Sequence, residues 1–226
     1  WTGPYGGGKS SLALALCAIV SGDRKLRKQA RELLADVAGL ERAFPVAKEG
    51  WLVVPVMGRR GDPIEDLRQG IAKAVSAEKG KARTRLRKTD SSGRDVLDRL
   101  HREAMARSKG GVLVVVDEMG KYLESASSQG ADIHFFQELA EAAGRCPGRL
   151  VVVGILHQGF EHYAARLGRE VQDEWAKVQG RYVDIPIVTA SDEVIDLIGR
   201  AIDADIDHPG SLPVAKKIAQ AIRRRR

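Results

Sequence analysis

The chain has 226 residues, with 37 Lys plus Arg against 30 Asp plus Glu and a formal net charge of +7. Hydrophobic residues make up 43% and charged residues 30%, the balance of a chain that folds around a core rather than of a disordered one. A domain of this length can bury roughly 70% of its unfolded surface, which leaves room for at most one small second module.

The chain opens on Trp1-Thr2-Gly3-Pro4-Tyr5-Gly6-Gly7-Gly8-Lys9-Ser10, followed by Ser11 and the apolar run 12–20. Residues 3–10 fit the spacing G-x-x-x-x-G-K-[ST], a phosphate-cradling loop. Its glycines let backbone N–H groups turn inward, and the Leu- and Ala-rich run after it predicts a helix whose positive end faces the same point. This context is a better account of the run than a signal peptide. Only Trp1 and Thr2 precede the loop and there is no initiator Met, so the expectation is a piece of a longer multidomain protein.

Downstream, apolar runs alternate with helical patterns. Helix is predicted over 23–42, strand over 51–57 and helix over 63–79. Residues 79–88 then hold Lys79, Lys81, Arg83, Arg85, Arg87 and Lys88. The whole segment 79–93 reads as an exposed charged loop or a poorly ordered insertion, with backbone contact to nucleic acid as the alternative. No aromatic is interleaved to stack bases. Helix follows over 94–108. The run 112–116 shows no polar alternation, as in a strand buried on both faces of a parallel sheet, and ends in Asp117-Glu118. Gly120 and Lys121 read as a turn at the carboxyl edge of the sheet, with Lys121 as a solvated lysine or, alternatively, one that approaches a bound phosphate or a partner. Helix is predicted over 132–144 with Asp132 as its cap and with Phe135, Phe136 and Leu139 in the core. A third strand over 150–156 ends in His157-Gln158. Helix over 160–178, a strand over 182–187 kept near an edge by Pro186, and a helix over 192–203 capped by Ser191 complete the pattern.

Beyond this lie a loop, 205–213, and a short basic helix ending in Arg223 to Arg226, which carry four of the seven excess positive charges. The tail reads as a solvated terminus, a nucleic-acid contact or the edge of a fragment. The expected architecture is α/β: a three-layer, doubly wound, mostly parallel sheet over 1–203, with a lid or linker remnant over 204–226. The longest apolar runs fall short of the about 20 residues that span a membrane, so no membrane partner is expected. Cys17 and Cys146 are too few for a disulfide framework or a zinc quartet, and a reducing cytoplasmic compartment is the expectation, with Cys17 in the core. The remaining histidines, His101, His134, His162 and His208, show no metal spacing.

A strand ending in two acids is a weak signal alone and a strong one beside a complete phosphate loop. In such a sheet the first acid can hold Mg²⁺ opposite the Ser10 hydroxyl, and the second can orient or deprotonate a water. The pairing resembles the P-loop ATPases that carry an extra catalytic glutamate, most closely the AAA+ and signal-transduction ATPase branch. The resemblance implies ATP and Mg²⁺ as ligands, with residues 3–10 as Walker A and 112–118 as Walker B. It implies that Gly3, Pro4, Tyr5, Gly6, Gly7, Gly8, Lys9, Ser10 and Ser11 bind nucleotide. Lys9 would contact the β- and γ-phosphates, Ser10 and Asp117 would hold the metal, and Glu118 would activate water. His157, with Gln158 as second choice, matches the polar tip called sensor 1, where Asn or Thr is more usual. Arg181, in Gly180-Arg181-Tyr182-Val183-Asp184, matches an arginine finger that reaches the nucleotide of a neighbouring subunit, which implies a homo-oligomer.

The absence of Asn-Lys-x-Asp gives guanine specificity no support, and the absence of Leu-Ser-Gly-Gly-Gln argues against a transporter ATPase. The expected function is Mg-dependent ATP hydrolysis as the motor or switch module of a larger protein, in nucleic-acid handling or bacterial antiviral defence. The alternatives are a slowly hydrolysing oligomerisation switch or scaffold and a DNA translocase or helicase motor.

Overall fold

The structure, a computed structural model, describes residues 1–78, 92–107, 109–129, 133–165, 169–187 and 220. The chain divides into two units, Trp1–Val188 and Thr189–Arg226. Residues 79–91 of the basic loop expected over 79–93, the caps Asp132 and Ser191, the helix over 192–203, the boundary at 203/204 and the arginine tail lie outside the described residues, while Ser92 and Gly93 belong to the start of a helix.

The first unit is a mixed α/β structure around a small parallel sheet. Its strands β1 (Leu52–Met57), β2 (Val112–Asp117) and β3 (Leu150–Gly154) lie side by side in chain order. The register pairs Val56 with Val116 and Met57 with Asp117, while Val116 also faces Gly154. The carboxyl ends of all three strands therefore reach one common edge.

Alternation along the strands separates the core into two apolar clusters, because successive side chains leave a strand on opposite faces. Leu52, Val54, Val56, Val112, Val114 and Val116 join one cluster with α4 (Pro63–Glu78), α5 (Gly93–Met105) and α7 (His134–Gly144). Leu67, Ile71 and Val75 come from α4, Leu100 from α5, and Phe135, Phe136 and Leu139 from α7, as expected for that helix. Leu113, Val115, Val153 and Ile155 join the other with Trp51 and with Ala13, Ile19 and Val20 of α1 (Lys9–Val20).

Local signals account for the starts of three helices. Pro63 opens α4, and Asp62 Oδ1 accepts from the N–H of Ile64 at 2.9 Å. Ser92 and Asp95 form a reciprocal capping box at α5. Asp23 caps α2 (Arg24–Leu33) by accepting from the N–H groups of Lys25 and Leu26. The helix expected over 23–42 is broken into α2 and the single turn α3 (Leu40–Ala43), with Gly39 between them in the left-handed region at φ 80°.

Three further expectations about elements change. Gly120 does not simply turn the chain: it opens α6 (Gly120–Gln129) directly after the acids. The helix expected over 160–178 is divided into α8 (Phe160–Ala164) and α9 (Arg169–Gln179). The strand expected over 182–187 is reduced to a single parallel bridge between Thr2 and Pro186. A parallel bridge uses the groups of the residues flanking the bridged one, so Pro186 needs no N–H here: Thr2 donates to Ile185 O at 3.2 Å and Ile187 donates to Thr2 O at 2.7 Å. On its other side the Trp1–Thr2 segment meets the end of β3, where Leu156 N–H donates to Trp1 O at 2.8 Å. The glycine loop thus leaves the same edge at which β2 presents its acids.

Cys17, expected in the core, is half-buried beside Leu14, Leu26 and Leu33 in a groove between α1 and α2. The apolar run of α1 is too uniform to bury on one side, and Leu14 remains 71% exposed. Leu113, by contrast, is fully buried at the centre of the sheet. Leu113→Ala should destabilise the fold by about 2–5 kcal/mol through lost burial and a residual cavity. Urea unfolding followed by circular dichroism measures this, and an unchanged midpoint would contradict the described core.

Candidate anion site at the carboxyl edge of the sheet

A cavity of about 480 Å³ opens at the carboxyl edge, lined by residues 5–11, Met57, Asp117, Glu118 and His157. All of these except Met57 are site residues expected from the sequence. Gly6 and Gly8 hold φ of 77° and 80°, the left-handed region that an L side chain adopts only with strain. Gly8 is also the N-cap of α1 and supplies no capping side chain. The first N–H groups of the helix are therefore available to an anion.

Gly3 is needed for a further reason. A Cβ there would lie 2.3 Å from the carbonyl oxygen of Ile187, so the chain can pass that segment only as glycine. Gly3 and Pro4 stand behind the cavity, and their carbonyl oxygens accept from Lys9 Nζ at 2.6 and 2.7 Å. Lys9 is only 5% exposed, so these bonds hold a charge that would be costly to bury unpaired.

Opposite Lys9, Ser10 Oγ donates to Asp117 Oδ2 at 2.9 Å. The two residues come from the start of α1 and the end of β2, and their oxygens form a pair of hard donors suited to a small divalent cation. Asp117 Oδ1 also accepts from the Glu118 N–H at 2.8 Å. That bond accompanies a sharp turn: Glu118 has φ 54°, the only positive value outside glycine among the described residues.

The turn has packing partners that sequence reading did not find. A Cβ on Gly58 would lie 2.2 Å from the Glu118 carbonyl oxygen, and one on Gly120 would lie 2.2 Å from the Tyr163 hydroxyl. Tyr122 donates to Asp66 Oδ2 at 2.7 Å, and Arg59 holds the same carboxylate. The Arg59 bond is the main reason Asp66 stays below the usual carboxylate range, and burial pushes the Tyr122 phenol up. None of these pairs leaves a motif in sequence. A lone Gly after a strand was the available signal for Gly58.

The Lys121 ammonium donates to Glu118 Oε2. This bond is the main cause that raises Lys121 above its ordinary range. His157 stands at the tip beyond β3, its ring stacked on Tyr5 with centroids 3.7 Å apart and planes 21° from parallel. Both of its ring nitrogens are buried and have no hydrogen-bond partner. An orphaned buried polar atom costs free energy, which a ligand that bonds to it would recover. Gln158, the second choice for this role, is exposed.

Arg181 is not brought to this cavity. Its Nε donates to Glu141 Oε1 at 2.7 Å on α7 of the same chain, and its side chain is 45% exposed. Among the described residues no cluster of three or more His, Cys, Asp or Glu side chains is arranged to hold a metal ion, and no helix is long and apolar enough to cross a membrane. No family model matches the sequence, and no curated protein matches it.

Burial, and secondarily the Lys9 charge, lower the His157 pKa. The imidazole is therefore neutral at pH 7. Between its lowered value and the ordinary value of about 6.5, the unfolded chain binds a proton that the folded chain does not. Stability therefore falls as pH drops through that window. Tyr5→Ala uncovers the ring and should move the His157 pKa back up toward about 6.5. An imidazole titration by NMR checks this, and an unmoved or lowered value would contradict the stacking account.

Proposed function

We propose that this chain is an ATPase module that binds ATP with Mg²⁺ at the glycine loop and hydrolyses the β–γ phosphoanhydride, as the motor or switch part of a larger protein. The observation that carries this is the Ser10–Asp117 hydrogen bond of 2.9 Å beside Lys9, at the mouth of a glycine-lined cavity. Ser10 and Asp117 would hold Mg²⁺, which adds charge neutralisation on the phosphates. The fit is good, since hard oxygen donors meet at one point and phosphate and water can complete the coordination.

The fold reading that goes with this function is a three-layer, doubly wound P-loop domain. Two observations support it: the separate apolar clusters on the two sheet faces, and the insertion of β3 between the acid-bearing β2 and the loop segment. With β3 between them, the loop and the acids face each other across the width of a strand. His157 stands at the tip beyond that strand and lines the same cavity, where a γ-phosphate and a water would lie between loop and acids.

The roles follow from the chemistry of each side chain. Backbone N–H groups of residues 6–9 receive phosphate oxygens, and Lys9 exchanges its carbonyl partners for the β- and γ-phosphates. Glu118 accepts the proton of the water that attacks the γ-phosphorus, and the bond to the leaving β-phosphate oxygen breaks. His157, neutral and unpaired, donates one N–H toward the γ-phosphate or the attacking water. Arg181 reaching a neighbouring subunit would have to leave Glu141, an exposed pair of small worth.

Two variants test the reading. Lys9→Ala should weaken MgATP binding by roughly tenfold or more, because it removes a charge-assisted bond to phosphate. Wild-type affinity by calorimetry would overturn the assignment. Glu118→Gln should bind MgATP normally and hydrolyse it about 10²- to 10⁴-fold more slowly in single turnover. An unchanged rate would remove Glu118 from the chemistry.

A further inference from the structure

We infer that Lys121 is a second phosphate-responsive cation: it pairs with the Glu118 carboxylate, and a bound γ-phosphate draws it away. The inference rests on the reading of the cavity as an ATP site. It concerns a residue that the glycine loop and the acid pair leave without a role.

The starting observation is the ion pair itself. Lys121 Nζ donates to Glu118 Oε2, the carboxylate that lines the cavity. A carboxylate oxygen engaged by an ammonium is less available to accept a proton from water. The Glu118 carboxylate is thus engaged by the Lys121 ammonium.

Helix stability does not explain the lysine. Lys121 lies in the first turn of α6, where the positive end of the helix disfavours a cation, and that turn contains no acid. The pair is also half-exposed, with side-chain exposures of 46% and 30%, a setting in which ion pairs add little to folding. Its location beside the cavity is the more specific property.

The backbone under the pair is fixed while the side chain is not. Met119 N–H donates to Ile155 O at 3.0 Å, and Gly120 abuts the Tyr163 hydroxyl. Tyr122 is tied to Asp66. Lys121 itself is a charge on a flexible four-carbon stem, able to change partner without moving the helix.

Charge supplies the direction of the exchange. Among the described residues lining the cavity, Lys9 is the one cation, beside two carboxylates. A γ-phosphate arriving next to Glu118 brings more negative charge than the carboxylate carries, and three acceptor oxygens. Lys121 gains a stronger charge-assisted bond by moving to it, and the same move frees Glu118. ADP lacks that group, so the Glu118 pair persists with ADP bound. Lys121 thereby contributes to preference for the triphosphate and links its presence to release of the base.

The test compares affinities, without turnover. Wild type, Lys121→Met and Lys121→Arg are titrated by calorimetry with Mg-ADP and with Mg plus a β,γ-imido analogue of ATP. Methionine keeps the length of the stem and loses the charge. The expected result is analogue binding weakened roughly tenfold or more in Lys121→Met, ADP affinity within about twofold of wild type, and recovery in Lys121→Arg. Retained ADP binding also shows that the variant folds. Equal effects on both nucleotides, no effect on either, or no recovery with arginine would overturn the role of Lys121. Failure of wild type to bind either nucleotide would instead overturn the ATP site.

Discussion

The hydrogen bond between Ser10 and Asp117 is the contact on which the account of this molecule depends. It joins the first turn of α1 to the last residue of β2, segments far apart in the chain. It can form only because the parallel register brings Met57, Asp117 and Gly154 to one edge and because Trp1–Thr2 is bound to the end of β3. A slip of one residue in β2 would turn Asp117 to the other face and put Val116 at the edge. The two apolar clusters, which alternate along the strands, hold the register and thereby hold the site.

The site is made by close backbone approaches as much as by its charged groups. Gly3 passes the Ile187 carbonyl, Gly58 passes the Glu118 carbonyl and Gly120 passes Tyr163, each at a distance that excludes a side chain. The result is a strained Glu118 at φ 54°, held by the Asp117 carboxylate on its N–H and by its neighbours in the packing. Strain of this kind persists only where the surroundings over-determine it. Here they do so from Gly58, just after β1, and from Gly120 at the start of α6, itself packed on Tyr163 of α8.

Much of this was legible in the residues. The glycine loop, the helix after it, the three buried strands and the acids at the end of β2 all carry local signals, and the structure brings residues 5–11, Asp117, Glu118 and His157 into one cavity. Other features have no local signal. Gly58 and Tyr163 matter through contacts with segments distant in sequence, and Tyr122–Asp66 is one hydroxyl meeting one carboxylate across two helices. The break at Gly39 and the loss of the strand around Pro186 turn on backbone conformations that propensity does not resolve. Arg181 has a partner that no local signal predicts. Its described partner is Glu141, a residue no motif singled out.

The central claim, that Ser10 and Asp117 together hold a magnesium ion against bound ATP, has a direct measurement in the linkage between the two ligands. ATP affinity is determined by calorimetry with Mg²⁺ and with the metal chelated, for wild type and Asp117→Asn. The account predicts that Mg²⁺ tightens ATP binding to wild type and that most of this increment is lost in Asp117→Asn, while metal-free binding is unchanged or improved by removal of a carboxylate from the phosphates. An increment of equal size in both proteins, or no dependence on Mg²⁺ in wild type, would contradict it.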